Sequence, residues 1–113
     1  MTETEWAPAS CTLPTIERPL REREFTDLFR TALRELAVAG ADRADFTLAA
    51  TATGTARDLA ARETSCCSFF TFTFAENPST VVMTVTVPPQ QTRVLDALVR
   101  MAAGAAGVTP GRA

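Results

Sequence analysis

The feature that most constrains this chain is a change of periodicity between Arg57 and Phe74, which reads R-D-L-A-A-R-E-T-S-C-C-S-F-F-T-F-T-F. Ala56, Leu59 and Ala60 fall on one side of a helix, and Arg57, Asp58 and Arg62 on the other. Phe70, Phe72 and Phe74 then alternate with Thr71 and Thr73, the two-residue period of a strand. The pattern predicts a helix that runs to about Cys66 or Cys67 and a strand immediately beyond it, with adjacent cysteines at the junction. Neither an all-helical nor an all-strand architecture accommodates that stretch.

The flanking segments extend the same mixture. Apolar residues Phe25, Leu28, Phe29, Ala32, Leu33 and Leu36 recur at three- and four-residue spacing and predict a helix over Glu22 to Val38, with Gly40 as its exit. Asp45 to Thr53 alternates Phe46, Leu48 and Ala50 against Asp45, Thr47 and Ala49, a strand with one wetter face. Gly54 ends it, and Thr55 with Asp58 three residues on has the pattern of a capping box for the next helix. Glu76-Asn77-Pro78-Ser79 is a turn cluster, followed by a strand over Thr80 to Val87, so the two strands predict an antiparallel hairpin. Pro88 and Pro89 stop it and suit a first helical turn, and Val94, Leu95, Leu98, Met101 and Ala102 form a third amphipathic stripe.

The expected architecture is α+β and two-layered, a small antiparallel or mixed sheet with helices on one face in the order α-β-α-β-β-α. Residues 1–20, with Pro8, Pro14 and Pro19, are expected as an extended arm, 21–103 as one domain and 104–113 as a flexible tail. At 113 residues the chain is long enough for one core and too short for two domains. The threonine-lined wet face of the sheet suggests a homodimer. No apolar run approaches the roughly 20 residues needed to span a bilayer, and Glu3 and Glu5 stand where a signal peptide carries positive charge. Cytoplasmic location without membrane association is the expectation.

Composition narrows the chemistry. With no His, Lys or Tyr, the chain has no imidazole base, Schiff-base amine or phenolic acid. The basic residues are all Arg and alternate with acids to a net charge of −2, which argues against nucleic acid as a partner. Cysteine, carboxylate, arginine and hydroxyl chemistry remains.

Glu63 lies three residues before Cys66 and four before Cys67, so on a helix all three share a face with Leu59. A carboxylate on an apolar stripe must be paired, hydrogen-bonded or protonated if it is buried. Arg57 and Arg62 are the neighbouring cations, but the helical wheel points them elsewhere. The plainer reading puts the head of Glu63 in solvent and packs the cysteines as small apolar residues.

Three thiols without histidine select soft ions, and Cys11, Cys66 and Cys67 could form a trigonal thiolate site for Hg, As, Cd or Cu(I). Zn would require Glu63 as a fourth ligand. A catalytic thiol is disfavoured because the end of a helix destabilises a thiolate, whereas a bound cation removes that objection. A disulfide between Cys66 and Cys67 would be strained by their adjacency. No organic cofactor is expected.

The run R-E-T-S-C-C-S-F-F-T-F-T-F resembles an E-x-x-C-C-x-F-F-x-F block of small bacterial proteins and regulator-attached domains associated with mercury or arsenic resistance. The likeness covers residues 57–100, with C-T-L-P at Cys11 to Pro14 upstream. It implies a soft-metal or metalloid thiol site at Cys11, Cys66 and Cys67 with Glu63 alongside. Three functions are therefore weighed. The first is a small metal-binding protein, and the second an interaction or scaffold domain with packed cysteines. The third is an enzyme cleaving a carbon–metal bond, with Glu63 as the catalytic proton donor, which resembles organomercurial lyases in chemistry alone.

Overall fold

The computed structural model describes residues 18–66 and 70–112, and side chains within 23–64 and 70–111. The fold is α+β. Helix α1 (Arg18–Ala32) leads directly into strand β1 (Leu33–Val38), which turns back into β2 (Arg43–Ala49). A single 3₁₀ turn (Ala50–Ala52) precedes α2 (Thr53–Cys66). The hairpin β3 (Thr71–Glu76) and β4 (Thr80–Thr86) follows, then α3 (Thr92–Ala106) and the two-residue β5 (Gly111–Arg112).

The sheet order is β3-β4-β2-β1-β5. Its first four strands are antiparallel, and β5 pairs in parallel with the end of β1, so the sheet is mixed. Register aligns the residues of the helix-covered face in rows across it: Phe72, Val85, Ala44 and Val38 in one, and Phe74, Met83, Phe46 and Leu36 in the next. A third row holds Glu76, Val81, Leu48 and Leu33. The alternation of apolar and polar residues in β2 and β4 dictates this, since successive side chains point to opposite faces. On the far face stand Thr73, Thr84, Asp45 and Ala37, with the Thr84 hydroxyl donating to Asp45 Oδ1 at 2.8 Å.

The helices cover the apolar face. Helix α1 packs mainly on α3, where the Thr26 hydroxyl donates to Met101 Sδ at 3.2 Å. Phe29 stacks on Phe46 with ring centroids 5.2 Å apart, joining the helix layer to the centre of the sheet. Val94, Leu95, Leu98, Val99 and Ala102 form the buried stripe of α3, and Gly107, with φ of 69°, ends the helix in the left-handed conformation that glycine adopts without strain.

Several boundaries depart from the sequence reading. The helix expected over Glu22 to Val38 stops at Ala32, and Leu33–Val38 is a strand, so the order is α-β-β-α-β-β-α with a final short strand. The cause is a bulge in β1: its register with β2 shifts between Leu33 and Glu35. The extra residue lets Leu33 and Leu36, three apart, both face the core, and that spacing imitates a helical stripe. Gly40, taken as a helix exit, instead sits in the β1–β2 turn with φ of 127°.

At α2, Thr53 starts the helix and its hydroxyl donates to the Ala50 carbonyl at 2.7 Å. Thr55 is therefore already inside the helix, and the capping box with Asp58 does not form. Strand β2 ends at Ala49, short of Thr53. Of the stretch 104–113, read as a tail, Gly104–Ala106 complete α3 and Gly111 and Arg112 pair with Ala37 and Val38.

Candidate functional site

Helix α2 is built as its periodicity requires. Ala56, Leu59, Ala60 and Glu63 are buried, whereas Arg57, Asp58 and Ala61 are exposed. Glu63, at 0% exposure, is the only buried charged side chain among the described residues, and it occupies the same face as Leu59. The alternative that left its head in solvent is excluded. Cys66 closes the helix less than one turn further on, so a fully buried carboxyl group and a cysteine backbone share one end of α2.

The neighbouring arginines are committed elsewhere, as the helical wheel implies. Arg62 Nη1 reaches Glu24 Oε1 on α1 at 3.2 Å, and its Nη2 lies 3.1 Å from Asp58 Oδ2 one turn back. Partial burial works against the guanidinium charge, but the Glu24 and Asp58 carboxylates outweigh it and hold the pKa of Arg62 above the ordinary arginine value. Arg57 lies with its guanidinium carbon 4.7 Å from the Phe74 ring centroid and pairs with Glu76 at 2.7 Å.

The Arg62–Glu24 pair ties α1 to α2. Glu24, Leu28 and Ala32 of α1 and Leu59 and Arg62 of α2, with Ala52 of the preceding 3₁₀ turn, line a cleft of about 480 Å³. The pair joins the middle of α1 to the C-terminal part of α2, four positions before Cys66.

Of the four residues singled out from the sequence, the structure places Glu63 in full and Cys66 by its backbone. Cys11, Cys67 and the Cys66 thiol lie outside the described residues. Among the described residues no group of three or more Cys, Asp or Glu side chains is arranged to hold a metal ion. Sequence reasoning missed Glu24, whose partner is 38 positions away; only a contact between two helices brings them together, and no local pattern carries that information. No helix among the described residues is long and apolar enough to cross a membrane.

No family model, curated protein or solved structure matches the chain. The chemistry has to be read from the residues themselves.

Proposed function

We propose that this is a small cytoplasmic protein that binds a soft metal or metalloid ion, of the mercury(II) or arsenic(III) type, through the thiolates of Cys11, Cys66 and Cys67. What supports the reading is the tie between α1 and α2: Arg62, four positions before Cys66, reaches Glu24, thirteen positions after Cys11. Cys11 lies seven positions before Arg18, where α1 begins, and an extended segment of that length can span about 23 Å.

The buried carboxyl group of Glu63 supports the same reading. Removing a carboxyl group from water is costly, and Glu63 is fully buried one turn before Cys66. There it would order or complete the ligand set, as the fourth ligand that zinc would need or as a neighbour to a trigonal thiolate site. The bound cation would stabilise the thiolates that the helix end disfavours, and a reducing compartment would keep them free.

Native mass spectrometry with mercury(II), arsenite and zinc tests the proposal. A mass gain of one ion is expected with at least one of them, together with a large loss of affinity in Cys66→Ser/Cys67→Ser. Unchanged mass with all three, or unchanged affinity in the double variant, rejects it in favour of an interaction domain in which the cysteines only pack.

The burial of Glu63 also favours an enzymatic variant of the reading. Thiolates would hold the metal of an organometallic substrate, and the protonated carboxyl group would transfer its proton to the leaving carbon as the carbon–metal bond breaks. The products would be a hydrocarbon, a thiolate-bound ion and the Glu63 carboxylate. Equal rates of hydrocarbon release from wild type and Glu63→Gln would reject that role.

A further inference from the structure

The two edges of the sheet are finished differently. On one side, β1 carries Arg34 and Glu35 at a bulge, and Ala37 and Val38 are covered by β5. Charge, irregularity and a covering segment are the means by which natural sheets discourage further strand pairing. On the other side, β3 runs in unbroken register with β4 from Thr71 to Glu76, and among the described residues nothing pairs with its outer edge. It contains no proline and no charge before Glu76.

The sequence of that edge is close to a palindrome. Thr71-Phe72-Thr73-Phe74-Ala75 reads nearly the same in both directions about Thr73. Antiparallel pairing with an identical strand on a two-fold axis at Thr73 sets Phe72 of one copy opposite Phe74 of the other, and Thr71 opposite Ala75. Every inward residue meets an inward residue and every outward one an outward one, as the strand period requires. Both Glu76 side chains fall outside the paired segment.

We propose that β3 is a homodimerisation edge, through which two copies of this chain join their sheets by antiparallel β3–β3 pairing centred on Thr73. On the helix side, half-buried Phe72 and Phe74 of each copy form one aromatic row, bounded at either end by the Arg57 guanidinium that already rests on Phe74. On the far side the exposed Thr73 residues of the two copies stand directly opposite each other. A second copy is the fitting occupant because the near-palindrome matches the strand to itself; an unrelated peptide has no reason to share it.

Sedimentation equilibrium of the full chain, reduced and metal-free, should show a monomer–dimer equilibrium. Thr73→Glu and Thr73→Arg each place like charges on the axis and should weaken the dimer roughly tenfold or more. Mixing the two variants should restore a heterodimer. Amide exchange of wild-type β3 gives an independent measurement: alternate amides of Thr71–Ala75 should be protected increasingly as concentration rises. The proposal is overturned by a wild-type chain that stays monomeric, or by a dimer indifferent to both substitutions. Protection of β3 that does not depend on concentration also overturns it, since a segment of the same chain would then occupy the edge. So does a dimer that leaves the β3 amides unprotected, which would use another surface such as the threonine-lined face.

Discussion

Glu24 on α1 and Arg62 on α2 meet across the helix layer at 3.2 Å, and their contact ties the middle of α1 to the C-terminal part of α2. Both side chains are more than a third exposed or close to it, 41% for Arg62 and 35% for Glu24. Solvent therefore screens the pair, and its energetic weight is that of a surface ion pair, although its geometric role is larger.

Arg62→Gln should accordingly lower stability by about 0.2–1 kcal/mol, measured by urea denaturation. The pKa of Arg62 is raised in the folded state, so its contribution is fully present below the unfolded value and disappears only as pH climbs through the higher folded one. Both lie well above neutrality. The difference in melting temperature between wild type and Arg62→Gln should be flat from about pH 6 to pH 10. A difference that fades within that range would mean that another group controls it.

Glu63→Leu should lower the urea midpoint, because Glu63 is fully buried and the group it interacts with would lose its partner. The same change should weaken zinc more than mercury(II), since zinc seeks a fourth ligand and a trigonal thiolate set satisfies mercury. Competition titrations against a chromophoric chelator measure both affinities. An unchanged or raised midpoint would mean that the neighbouring groups are satisfied without Glu63.

Phe46→Ala should cost about 3–5 kcal/mol. Phe46 is wholly buried at the centre of the sheet and stacks on Phe29, so the cavity would open where the helix layer meets the strands. Equilibrium denaturation would detect it directly.

The two glycines near the end of α3 should respond in opposite directions to alanine. Gly104 is helical with open space where a Cβ would go, so Gly104→Ala should stabilise by about 0.5–1 kcal/mol. Gly107 has equally open space but a φ of 69°, and Gly107→Ala should cost about 1–2 kcal/mol from backbone strain alone. Thermal unfolding of the two variants provides the comparison.

The elements with a clean period were legible in the sequence: α3, the β3–β4 hairpin, and α2 with Glu63 on its inner face. The first half of the chain was legible only in part. The bulge in β1 spaces Leu33 and Leu36 by three, so a strand presents the apolar interval of a helix, and no glycine or proline marks the change at Ala32. Thr55 and Asp58 carried the letters of a cap, but the 3₁₀ turn at Ala50–Ala52 moved the helix start two residues earlier. For the candidate site, the burial of Glu63 on the face of Leu59 follows from local periodicity. The alignment of α1 with α2 depends on a tertiary contact between residues 38 apart and has no local signature.

Ala32 closes α1 and Leu33 opens β1, with no residue between them. Helix and strand are thereby joined with no loop to absorb movement between them. The helical part is about 22 Å long, and near its middle Glu24 is tied to Arg62 on α2. A displacement of α2 carried by that contact is passed to α1 and from it to β1, and through β1 to its neighbour β2.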